Sequence, residues 1–231
     1  MNFYETWSAA RKNNVTDFEF FKSFLDKEAN SVQPLVSGSQ DEVIFIVKML
    51  LNIPMDEFIE NLCKCDLCHV EAGNIIQFSN FNRALFDVPA LLFTQGKALD
   101  FDEIGKMTIG SKSTGARIKY GENHSKLAYE MGFVEMFRDG KIFVYLTQFG
   151  NVAVSLSEND RYNFALKMLI RNSFIRNIIK LGKKDCVFYS EMVGNLLSES
   201  TMIRRKNNVR YVIEAILDES KFKYIKNNIF W

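Results

Sequence analysis

Three stretches of helical periodicity followed by a short strand pair around a turn recur along this chain, and that order constrains its fold more than any single motif. The sharpest copy lies in the middle. An apolar helix over 81–95 stops at Gly96, a short helix covers 101–107, and the glycine-containing stretch 110–121 leads into a helix over 122–131 with Gly132 as its C-cap. Phe133-Val134-Glu135-Met136-Phe137 and Ile142-Phe143-Val144-Tyr145-Leu146 then flank Arg138-Asp139-Gly140, a strong hairpin signal. The next copy opens on a cap at Ser157-Glu158-Asn159-Asp160 and predicts helices over 162–181, 191–197 and 201–217. A last hairpin is expected where Phe222-Lys223-Tyr224 and Ile229-Phe230-Trp231 flank Asn227-Asn228.

The first copy is the least regular. Thr16 caps a helix over 17–29 carrying Phe18, Phe21, Phe24 and Leu25, a buried helix covers 41–52, and a third starts near Pro54 and runs through Phe58, Ile59 and Leu62. His69-Val70-Glu71 and Ile75-Ile76-Gln77-Phe78 flank Ala72-Gly73-Asn74 as a small hairpin. Three helices followed by a β-hairpin is the winged-helix variant of the helix-turn-helix, whose third helix enters a DNA groove. The expected fold is therefore α+β and mainly helical, in tandem winged-helix units. The boundaries are an acidic, winged-helix-like N-terminal domain over 1–80, a winged helix over 81–157 and a C-terminal winged helix over 158–231.

Charge is divided along the chain. The 29 basic and 28 acidic residues nearly cancel, yet residues 1–160 hold 15 basic against 22 acidic and residues 161–231 hold 14 against 6. Such asymmetry points to a polyanionic partner for the basic part. The N-terminus lacks a charged region followed by an apolar run, and the longest apolar stretches are too short to cross a bilayer, so a cytoplasmic protein without a membrane partner is expected.

Two clusters suit nucleic acid. On the helix predicted over 201–217, Arg204, Arg205, Lys206 and Arg210 lie with Asn207 and Asn208, behind Ser198, Ser200 and Thr201. Residues 201, 205 and 208 share one face, and 204 and 208 another, while Val209, Val212, Ile213 and Ile216 hold the helix to its domain. Arg can bind guanine edges or phosphates, and Asn can bind adenine. In the middle copy, Lys106, Ser111, Lys112, Ser113, Thr114, Gly115, Arg117, Lys119, Tyr120, Asn123, His124 and Lys126 combine basic, small hydroxyl and amide groups, with Asn123 and His124 opening the reading helix. Along the first helix of the last copy, upstream of the 198–210 cluster, Arg161, Lys167, Arg171, Arg176, Lys180, Lys183 and Lys184 occur without an acid among them and suit phosphate tracking. A solvated basic face or a surface loop explains the same compositions.

Cys63, Cys65, Cys68 and His69 place four borderline ligands within seven residues. Zinc sites usually draw ligands from two separated pairs, and the second pair is missing, so buried thiols are the favoured reading and zinc the alternative. Neither a Gly-Lys-Ser/Thr phosphate loop nor a Gly-x-Ser-x-Gly elbow is present, and Glu219-Ser220-Lys221 lacks the acidic strand partner a nuclease site needs. No catalytic residue and no resident cofactor are assigned.

The run Asn123-His124-Ser125-Lys126-Leu127-Ala128-Tyr129-Glu130-Met131-Gly132-Phe133-Val134-Glu135, followed after the hairpin by Leu146-Thr147-Gln148-Phe149-Gly150-Asn151-Val152-Ala153, resembles winged-helix recognition domains of type II restriction endonucleases of the FokI kind. In those domains a recognition helix ends in a Met-Gly-Phe-like step and a wing ends in Leu-Thr-x-x-Gly. Ser198-Glu199-Ser200-Thr201, Arg204-Arg205 and Val209-Arg210 look like the next winged helix of the same arrangement, so that the resemblance spans residues 82–217. It implies sequence-specific binding of double-stranded DNA by the target-recognition part or subunit of a restriction-modification system. A nuclease or methyltransferase would be its companion, and magnesium would enter only with that nuclease. A transcriptional or replication regulator, or a winged-helix module that binds a protein, remains the alternative.

Overall fold

A computed structural model describes residues 12–13, 40–64, 66–110 and 112–231. They are mainly helical, with two small sheets. The helix expected over 17–29 lies outside the described residues. The described part opens with α1 (Gln40–Asn52) and α2 (Met55–Leu62), with Pro54 as the N-cap of α2.

The small hairpin expected over 69–78 is replaced by a single 3-10 turn, Ala72–Asn74. Its flanks do not pair with each other because side chains from far along the chain take their backbone groups. Asn177 accepts from the Cys68 N–H and donates to its carbonyl, Arg205 donates to the carbonyls of Ala72 and Ile75, and Asn208 donates to that of Phe78. The segment is thereby strapped to two later helices.

The middle of the chain runs α3 (Phe81–Gln95), β1 (Leu99–Asp100), α4 (Phe101–Ile109), α5 (Thr114–Glu130), β2 (Val134–Asp139) and β3 (Lys141–Leu146). Its antiparallel sheet has the order β1-β3-β2. Register runs from Val134 opposite Leu146 to Asp139 opposite Lys141, and the tip turns at Gly140 with φ +66°. Helix α5 starts at Thr114, well before Glu122, because Ser113 accepts the Ala116 N–H as an N-cap. The glycines that suggest a loop serve a helix crossing. A Cβ on Gly105 of α4 would sit 2.1 Å from the Arg117 carbonyl oxygen, and one on Gly121 of α5 would sit 2.1 Å from that of Phe101. After the hairpin, Thr147 caps α6 (Gln148–Val154), accepting from the Gly150 N–H and donating to the Gly132 carbonyl.

The single long helix expected over 162–181 is two: α7 (Glu158–Leu169) and α8 (Ser173–Gly182). Asn172 makes the break, its Oδ1 accepting the N–H groups of Phe174 and Ile175 at 3.1 Å. Next come β4 (Val187–Phe188), α9 (Tyr189–Val193) and α10 (Glu199–Asp218), so the order helix, short strand, helix, helix recurs. No hairpin follows. Residues Lys223–Asn228 form a 3-10 helix, and β5 (Ile229–Phe230) pairs with β4 in parallel. Asn228, expected at a turn, instead donates to the Gly182 carbonyl and ties this segment to α8.

One buried apolar cluster draws on residues from Val43 of α1 to Ile229 of β5. A second, smaller cluster of Val88, Leu92, Leu99, Ile104, Ala128, Val134 and Val144 lies between α3, α4, α5 and the three-stranded sheet, and it fixes the outward side of α5.

Candidate nucleic-acid interface

The middle cluster separates into inward and outward groups. His124 is 0 % exposed; its Nε2 lies 3.0 Å from Ser79 Oγ and its ring stacks on Tyr120 with centroids 3.9 Å apart. The Tyr120 hydroxyl donates to Asp87, which also accepts from Arg83. Burial, with the Asp87 carboxylate beside it, pushes the Tyr120 phenol up to about 12, and burial pushes the His124 imidazole down to about 4. Tyr120 thereby joins α5 to α3, and the fully buried His124 is held to Ser79 just before α3, away from the surface. Arg117 is also occupied, donating to Asp102 at 2.8 Å, to the Lys112 carbonyl and to Thr114 Oγ1, which staples α4 to α5.

Lys112, Ser113, Thr114, Lys119 and Lys126 are exposed, and Asn123 is half-buried. Lys119 and Lys126 both donate to Glu122, at 2.9 and 2.6 Å. Lys106 and Lys112 have no carboxylate partner among the described residues. Ser111 lies outside the described residues.

On α10 neighbouring residues have opposite orientations. Arg205 donates to two carbonyls of the 72–75 turn, at 2.9 and 2.6 Å, and burial, then Arg204 alongside, lowers its guanidinium. Asn208 faces the same loop. Thr201 is half-buried, its hydroxyl accepting from Ser198. The face predicted to share 201, 205 and 208 exists, and it packs inward. Ser200, Arg204, Asn207, Arg210 and Tyr211 line the exposed side, with Arg210 paired to Glu214 at 2.8 Å. Lys119, Asn123 and Lys126 of α5 and Arg205 of α10 line one cleft of about 60 Å³ together with residues of the 73–77 segment.

The basic run over 161–184, expected to suit phosphate tracking, is largely turned inward. Lys167, Arg171 and Arg176 are 2 %, 1 % and 4 % exposed. Lys167 Nζ donates to the carbonyls of Leu50, Leu51 and Ile53, closing the C-terminus of α1, and Arg176 meets the Cys68 sulfur. Arg161 lies 5.0 Å over the Phe86 ring and Lys183 4.6 Å over that of Phe222. This run organises the core and tracks no phosphates as a unit.

The cysteine cluster disperses. Cys63 is buried in the main core, Cys68 faces Arg176, His69 is exposed, and Cys65 lies outside the described residues. Among the described residues no three Cys, His, Asp or Glu side chains gather to hold a metal.

Sequence reasoning missed the aromatic side of the β2–β3 hairpin. Phe137 and Tyr145 are 46 % and 38 % exposed, and Phe137 stacks on Phe143 with centroids 5.5 Å apart. Strand alternation holds the signal, since 137, 143 and 145 share one face of the hairpin in the observed register. No described helix is long and apolar enough to cross a membrane. Comparison with family models, with curated proteins and with solved structures finds no match to this chain.

Proposed function

We propose that this chain binds double-stranded DNA sequence-specifically, with residues 81–146 acting as a winged helix and α5 as its groove-facing helix. The observation that carries the reading is topological. Helix, strand, helix, helix, hairpin, with sheet order β1-β3-β2, is the connectivity of that motif, and it leaves the N-terminal half of α5 exposed beside the hairpin tip. On this reading Lys106, Lys112, Lys119 and Lys126 supply phosphate contacts, and the half-buried Asn123 is the candidate for a base edge. Helix α10 adds Arg204, Asn207 and Arg210 from its exposed side, which would lengthen the target one molecule reads. By the resemblance in residues 123–153, the chain is the recognition part or subunit of a restriction-modification system, with cleavage supplied by another polypeptide or by sequence beyond this one.

A second reading, a module that grips a protein, is favoured by one feature. Arg117, Lys119, Lys126 and Arg210 all have carboxylate partners, while Ile118, Ile203 and Tyr211 stand exposed on the same helices. Salt separates the two. Duplex binding releases counterions and weakens along a straight line in log salt, whereas a largely apolar protein contact does not. Duplex DNA retained at low salt and released as salt rises supports the first reading; no retention at any salt overturns it.

A further inference from the structure

A cleft of about 550 Å³ opens between the C-terminal end of α3 and the junction of β3 with α6, within the size range of small-molecule sites. Its two aromatic walls, Phe93 and Tyr145, are 48 % and 38 % exposed. Its polar lining includes Lys97, Gln148 and Asn151, whose side chains bond to no other described residue, and no acidic side chain contributes. Tyr145 continues into the wing aromatics, its ring centroid 5.9 Å from that of Phe137, which stacks in turn on Phe143. These rings stand on the face of the hairpin opposite Val134 and Val144, which are buried against Ala128 of α5.

Each element of the lining matches one part of a nucleotide. Aromatic faces stack on a base whatever its identity, an amide side chain offers both a donor and an acceptor to a base edge, and a lysine without a carboxylate partner is a point charge for a phosphate. A line of further rings leading away from the cleft suits successive unpaired bases, whereas a duplex keeps its bases stacked on one another and offers these rings nothing. We propose that the cleft takes a nucleobase with its phosphate and that the wing aromatics stack the neighbouring bases of a single strand. The site uses neither the groove-facing side of α5 nor α10, so it stands or falls separately from duplex binding.

The test uses the full chain and a labelled oligothymidylate of about 12 nucleotides, a length within single-strand site sizes. Wild type is expected to bind it, and Tyr145→Ala and Lys97→Ala each to weaken binding by roughly tenfold, with duplex affinity and urea midpoint unchanged. Gln148→Ala, at an exposed site, repeats the test without touching an aromatic ring. Free thymidine monophosphate is expected to compete, because it fills the cleft, and to bind more weakly than the strand, which also stacks on the further rings; a monophosphate bound as tightly as the strand overturns the single-strand assignment. Failure of the wild type to bind either probe, or equal affinities for wild type and a Phe93→Ala/Tyr145→Ala variant, overturns the proposal.

Discussion

Lys167 illustrates what a single side chain does when its charge has no carboxylate to meet. Its ammonium is held by three carbonyls at the end of α1, and burial pushes it down to about 8. Lys167→Met keeps the length and apolar stem but leaves those carbonyls without their donor. Stability is expected to fall by about 3 kcal/mol, measured as a lower urea midpoint at unchanged slope. His124 has the complementary behaviour. Its imidazole is buried neutral, with a folded value of about 4 against 6.5 for the free side chain, so on acidification the unfolded chain takes up the proton first. The stability contributed by the neutral ring is complete above pH 6.5 and is lost as pH falls towards 4, by about 3 kcal/mol across the window. Urea midpoints at both ends of that window should drop less in His124→Phe than in wild type, because the variant has no proton to gain there.

At the scale of elements, the middle of the chain depends on the close crossing of α4 and α5. Gly121→Ala would drive a methyl into the Phe101 carbonyl, and backbone cannot step aside as a side-chain end can. The expected result is a loss of about 2 kcal/mol or more in thermal or urea unfolding, as for other overpacked interiors. Gly115→Ala, where the added carbon meets nothing within 4 Å, should be neutral or stabilising. This pair explains part of what was legible in the sequence. The hairpin over 134–146, the helix over 81–95 with its Gly96 cap and the helix at Pro54 follow from local turn, cap and period signals, and the structure has all three. The onset of α5 was obscured because glycine marks loops and close helix crossings alike. The break at Asn172 and the missing last hairpin were obscured because Asn172 and Asn228 bond to groups that periodicity does not register.

The whole molecule is held by contacts between residues more than a hundred positions apart, and these decide which of its cations face solvent. Lys167 to α1, Asn177 to Cys68, and Arg205 and Asn208 to the 72–78 segment all cross from late helices to the early part of the chain. Composition located the basic segments but could not tell Arg204 from Arg205, because that difference belongs to a loop 130 residues upstream. Arg205→Ala is therefore expected to lower stability, and Arg204→Ala to leave the urea midpoint unchanged. Whether the outward cations meet phosphates is decided by the affinity of the chain for duplex DNA as a function of salt, compared among wild type, Lys112→Ala and Arg204→Ala. A falling log–log line is expected for wild type, with a slope shallower by about 0.9 in each variant, because each substitution removes one cation that neutralises a phosphate. A salt-insensitive affinity, or slopes identical in all three proteins, would contradict duplex recognition through Lys112, before α5, and Arg204, on α10.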